Sequence, residues 1–191
     1  MSLVLWLAAL PCLYWTQPVE TGAALTKAGI HRLCVAPDQA EVWGKAGFDA
    51  VPLGEAELGL REALPAPGIR ARADRASPTR TPWIDANGWR FRRNPAGQYA
   101  YDLPAGKAAL AAAEAHVYGA DAVLKIDPAD LENLGRMMAF LAPLPANELP
   151  DVVDLAVVDD GSPPLGELLN LLVRRNLLFR IVKEPSPQYR V

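Results

Sequence analysis

The sequence predicts an α/β protein: parallel strands joined by crossover helices, as a partial barrel or an open sheet, with an antiparallel, aromatic-rich β excursion. Three observations support this. "KAGIHRLCVAP" from Lys27, "KAGFDAVPL" from Lys45 and "YGADAVLKIDP" from Tyr118 each end a helical pattern at a glycine and step into a short apolar run. Glycine takes the left-handed conformation that closes a helix, and a lysine beside the last carbonyls suits the negative end of the helix dipole. Asp127-Pro128 and Ser162-Pro163 then have the pattern of helix starts, a capping side chain followed by a residue that gives up no bonded amide. Finally, 51% apolar and 21% charged residues over 191 positions describe a globular chain with room for one well-buried domain, or for one and part of another. A complete eight-stranded barrel needs about 250 residues.

The elements follow in order. A strand at 11–15 leads through a polar turn to a helix over 19–28, and a second strand closes at Val35. Pro37 and Asp38 start a helix that runs to Ala46, and a third strand spans 49–53. From Glu55 to Pro82 the chain is rich in Pro, Arg, Ala and Gly, with one helical turn near 58–64, and suits a binding loop or a loose surface wrap. Between Thr81 and Pro104, the turn signals Asn87-Gly88 and Pro95-Ala96-Gly97 separate short aromatic runs, which predicts two or three antiparallel strands with Arg90, Arg92 and Arg93 in strand alternation. The alanine-rich stretch 105–118 is a strong helix former; a strand at 121–126 and a helix over 128–141 follow. The expected organisation is a domain over 1–142 with an insertion at 55–104, a proline-rich linker at 143–151, and an incomplete β-α-β unit over 152–191 that opens a second, Rossmann-like domain.

Several classes are disfavoured. With 19 basic and 22 acidic residues the formal charge is −3, so no global field attracts nucleic acid or anionic lipid. Cys12 and Cys34 lack a metal-ligand spacing and are expected as buried free thiols, while His31 and His116 lack partner ligands; neither a metal nor a cofactor is expected. No serine elbow or cysteine-histidine arrangement is visible. The opening "MSLVLWLAALPC" has the apolar core of a secretory signal without its basic start, and is shorter than the roughly 20 apolar residues of a membrane span. It reads as an unusual export signal or, failing that, as the lead into the first strand of a cytoplasmic protein.

Candidate site residues lie where strands end, since parallel sheets place chemistry at their carboxyl edges. Asp127 is a helix cap or a carboxylate for acid–base work, with Asp85 as the second acidic candidate. Lys125 shares a sheet face with Asp127 and either pairs with it or binds an anionic group. Tyr14, Trp15, Trp83 and Trp89, with Asn87 and Arg90 nearby, would suit a sugar ring; the competing account is a small aromatic core. In the last unit, Asp159, Asp160 and Ser162 occupy the loop after the strand "DLAVV", without the glycine and lysine spacing of a nucleotide loop.

"LYWTQP", the recurrent "AGFDAV" and "GADAVLKID", and "WIDANGWRF" together resemble bacterial glycoside-hydrolase-like (β/α)-barrel proteins, and the part after the linker is similar to the glutamine-amidotransferase-type domain that follows the barrel in some of them. The resemblance implies a carbohydrate ligand at the mouth of the strands, with catalysis depending on a carboxylate pair that cannot be assigned from sequence. The alternative is a non-catalytic interaction module, or a fragment whose last unit needs self-association or a missing C-terminal chain to cover it.

Overall fold

The structure, a computed structural model, describes residues 10–70, 83–144, 153–175 and 177–189. In chain order the elements are β1 (Cys12–Tyr14), α1 (Gly22–Lys27), β2 (Arg32–Val35), α2 (Ala40–Lys45), β3 (Asp49–Pro52), α3 (Glu55–Leu60), β4 (Glu62–Leu64), β5 (Gly68–Arg70), β6 (Trp83–Asp85), α4 (Gly88–Arg93), β7 (Gln98–Asp102), α5 (Ala108–Val117), β8 (Asp121–Lys125), α6 (Leu131–Leu141), β9 (Ala156–Val158), α7 (Pro163–Arg174) and β10 (Arg180–Val182). They form two compact units, one within Met1–Ala66 and Ala96–Ala146, the other within Pro67–Pro95 and Asn147–Val191. These limits differ from the expected 1–142, 143–151 and 152–191 division: the described residues between Pro67 and Pro95 group with the end of the chain.

The first unit is an open six-stranded sheet of order β3-β2-β1-β8-β7-β4 in which every pairing is parallel. Gly29, Gly47 and Gly119, the three helix-closing glycines, have φ of 73°, 92° and 61° and return the chain to β2, β3 and β8. From β4 to β7 to β8, and again from β1 to β2 to β3, each crossover steps in the same direction across the sheet. Right-handed connections of that kind lay their helices on one face. Accordingly α5 packs on α6, and α6 on α1. Gly135 permits the last contact: a Cβ there would lie 1.8 Å from the backbone oxygen of Ala28.

Strand alternation sends Leu13, Leu33, Val35, Ala122 and Leu124 to one face and Cys12, Tyr14, Cys34 and Val123 to the other. All nine are buried. On the second face, Leu58 of α3 packs with Val51 and Leu53 against Cys12, Tyr14, Cys34 and Val123. Burying Leu53 contributes about 2 kcal/mol. The expected free thiols are instead one disulfide, Cys12–Cys34, with Cα atoms 5.7 Å apart. Parallel pairing brings them together: β1 and β2 align Tyr14 with Cys34, so Cys12 stands one diagonal away on the same face.

The second unit is smaller. Strands β5 and β6 pair antiparallel, and β9 and β10 parallel. The antiparallel excursion is therefore confined to β5 and β6. Tyr99 and Tyr101, expected in it, lie on β7 in the parallel sheet and are buried there. Arg90, Arg92 and Arg93 stand on helix α4 rather than on a strand: α4 packs on α7 and β10, Phe91 is buried, and Trp89, partly buried, packs against the cluster of Val157, Leu169 and Phe179. The irregular 55–82 segment likewise contains α3, β4 and β5. Most of the expected linker, and residues 1–9, lie outside the described residues. Among the described residues, no helix is long and apolar enough to cross a membrane.

Candidate functional site

The sequence candidates divide between the two units. Tyr14, Trp15, Lys125 and Asp127 belong to the first; Asn87, Trp89, Arg90, Asp159, Asp160 and Ser162 belong to the second. Trp83 and Asp85 are on β6, and their side chains lie outside the described residues.

In the first unit, the carboxyl ends of β1, β8 and β7 bring one group of side chains together. The register pairs Leu13 with Leu124 and Asp102 with Lys125. Continued by one residue, it sets Tyr14 level with Lys125 and Asp102, all on the face that carries Cys12 and Cys34. Tyr14 is buried, yet among the described residues its hydroxyl has no hydrogen-bond partner. Burial pushes the phenol above its ordinary range, and the negative charge of Glu55, at the start of α3, adds to the shift. Lys125 is exposed and lies 3.8 Å from Asp102 rather than pairing with Asp127, since the chain leaves the sheet after β8 while Asp102 is its register neighbour. Asp127 is a helix cap: its Oδ1 accepts a hydrogen bond from the Ala129 amide at 2.9 Å. The other carboxylate here, Glu57, accepts from the Gly54 amide at 2.9 Å. The arrangement is a rim with a phenol, an ammonium group and carboxylates, able to donate and accept several hydrogen bonds at once.

Trp15 is not available as a platform on that rim. It is buried, and its Nε1 donates to Thr21 Oγ1 at 3.0 Å, fixing the turn before α1.

In the second unit the loop after β9 is tied internally. Arg93 donates through Nε and Nη2 to both carboxylate oxygens of Asp159, at 2.9 and 2.8 Å, and through Nη2 to the Ser162 carbonyl at 2.9 Å. Asp159 also accepts from the Gly161 amide. The hydrogen bonds from Arg93 hold the Asp159 carboxyl below its usual range against the opposing effect of partial burial. Asp160 is lowered by its hydrogen bonds from Ser162, and Ser162 caps α7 by accepting from the Leu165 amide at 3.4 Å. Asn87 is buried at the start of α4. Trp89 packs in the cluster with Leu169 and Phe179, and the Arg90 guanidinium lies 4.3 Å from the centre of its ring. These residues build the second unit, with Trp89 partly buried between the Arg90 guanidinium and the cluster.

Sequence reasoning missed Glu55, Asp102 and the link between Arg93 and Asp159. Glu55 and Asp102 could have been found by the rule that led to Asp127, since Asp102 ends β7 and Glu55 opens the helix that follows β3. Arg93 and Asp159 are 66 positions apart and carry no local signal. Among the described residues, no group of three or more His, Cys, Asp or Glu could hold a metal ion. No protein-family model matches the chain, and no curated protein or solved structure is significantly similar to it.

Proposed function

We propose that the first unit binds a carbohydrate at the carboxyl edge of its sheet and does not hydrolyse it. Tyr14 carries the reading: its ring is packed in the core cluster, so it is the hydroxyl, without a hydrogen-bond partner among the described residues, that a ligand would meet. Lys125, Asp102 and Glu55 supply the planar and charged partners that sugar hydroxyls need. The same-direction winding of the sheet, with β8 beside β1, is the strand sequence expected of a relative of (β/α) barrels that stays open between β3 and β4. Against hydrolysis, Asp127 and Glu57 each accept a hydrogen bond from a backbone amide and Asp102 lies 3.8 Å from Lys125, which leaves Glu55 as the rim carboxylate without such a partner among the described residues.

A screen of soluble oligosaccharides by thermal shift, followed by calorimetric titration, tests this. Binding should weaken about threefold to tenfold in Tyr14→Phe, the effect of one hydrogen bond. Nitrophenyl glycosides should remain intact. If no glycan shifts the melting temperature, or Tyr14→Phe binds as the wild type does, the reading fails.

A second reading, an interaction module that needs a partner or further chain, is favoured by Leu168, Leu171 and Leu178. They expose 45%, 52% and 63% of their surface on a unit whose parallel sheet has two strands. Light scattering across a concentration series distinguishes it, with Leu168→Glu/Leu171→Glu abolishing any association seen.

A further inference from the structure

We infer that the Cys12–Cys34 bridge couples the proposed binding rim to the thiol redox state of its surroundings, so that the rim is ordered when oxidised and loosened when reduced. The affinity part of this inference rests on the carbohydrate reading above; the structural part does not. The chain has two cysteines, and both are in this bond. It joins β1 to β2 on the face that carries Tyr14, and Tyr14 lies between the two cysteines in position: two residues after Cys12 along β1, and directly opposite Cys34 in the register. Strand β1 is only three residues long and is held on both sides by parallel pairing, to which the bridge adds a covalent link to β2.

Both cysteines are buried, at 9% and 4% exposure, so a reductant reaches the bond only when this part of the sheet opens. The step is a two-electron thiol–disulfide exchange with a small dithiol. The Cys12–Cys34 sulfur–sulfur bond breaks, the two reductant sulfurs join, and their two protons end on the Sγ atoms of Cys12 and Cys34. Two separate thiols need more room than one bridge, in a cluster closed by Tyr14, Leu53, Val123 and Leu58. A packed core meets such a demand by shifting its neighbours, and Tyr14 is the neighbour at the rim.

The test compares oxidised protein, protein reduced with dithiothreitol, and Cys12→Ala/Cys34→Ala, with the bridge verified by non-reducing peptide mapping. Amide hydrogen exchange should accelerate on the order of 100-fold in the first unit of the reduced protein, the effect of opening a loop of this size. Reduction without denaturant should be slow, and should quicken when the sheet is loosened by urea. Glycan affinity should fall in the reduced protein. Unchanged exchange at 12–15 and 33–36 after verified reduction, or peptide mapping that finds free thiols in protein purified without reductant, overturns the inference. If no glycan binds any form, the carbohydrate reading fails alone, and the exchange data still decide this one. The double alanine variant, which keeps the core apolar, should exchange as the reduced protein does; protection equal to that of the oxidised form also overturns it.

Discussion

The two units are stabilised by different means. The first has two faces of a six-stranded sheet to bury, and fills them with leucine, valine, alanine and the Tyr99 and Tyr101 rings. The second has two-stranded sheets, too little surface for a core of that kind, and draws on arginine instead. Arg93 grips Asp159, Arg92 donates to the Phe179 carbonyl at 3.1 Å and lies over the Phe179 ring, and Arg180 reaches the Tyr189 hydroxyl at 2.7 Å and lies over that ring. Planar guanidinium groups can stack and form several hydrogen bonds at once, so a small unit can be ordered by a few such contacts. The difference predicts opposite sensitivities: the first unit to changes of volume, the second to changes of charge.

The largest effect is expected at Arg93. Arg93→Ala leaves Asp159, whose side chain is largely buried, without its cation and should destabilise the second unit by about 3 kcal/mol, whereas the first unit should keep its exchange protection. Loss of protection in both units would show that the division is wrong. Gly135→Ala is the converse. Its new Cβ meets the backbone of Ala28, which cannot swing aside, so the first unit should lose about 2–3 kcal/mol by denaturant unfolding while the second is unaffected.

Acid should separate the units as well. Asp159 has a folded-state carboxyl below its unfolded value, so its contribution is complete above the unfolded value near pH 4 and disappears as pH falls through the folded one. Exchange protection in the second unit should therefore drop below about pH 4, and Asp159→Asn should flatten that dependence. Tyr14 has the opposite sign. Its raised phenol contributes stability at neutral pH that is lost as pH climbs from about 10 towards the folded value, a loss that Tyr14→Phe removes. The smallest effect is at the turns: Gly47→Ala forces a side chain into φ of 92° and should cost about 1 kcal/mol.

The contrast also explains what the sequence discloses. Features written in a few neighbouring residues are legible: the glycine turns at 29, 47 and 119, the caps at Asp127 and Ser162, and the alternation of helix with parallel strand. The α4 helix was obscured because Trp89, Arg90, Phe91 and Arg92 alternate as a strand would, and only contact with α7 shows that Trp89 is needed inside. Gly166 carries the matching constraint, since a Cβ there would approach Arg93 and Trp89 to 2.9 and 3.2 Å. The disulfide and the Arg93–Asp159 pair join distant positions, and no local pattern encodes them. At the proposed rim, strand ends in the sequence point to Tyr14, Lys125 and Asp127. The company they keep depended on register, which set Asp102 rather than Asp127 beside Lys125.

The neighbours at the middle of the large sheet, β1 and β8, come from opposite parts of the chain: Leu13 pairs with Leu124. During synthesis the first strand must therefore wait, with one edge unsatisfied, until more than half of the polypeptide has emerged from the ribosome. The outermost strands can assemble early while the centre is sealed last, so the nascent protein is most vulnerable to wrong pairing at the place where the finished one is most secure.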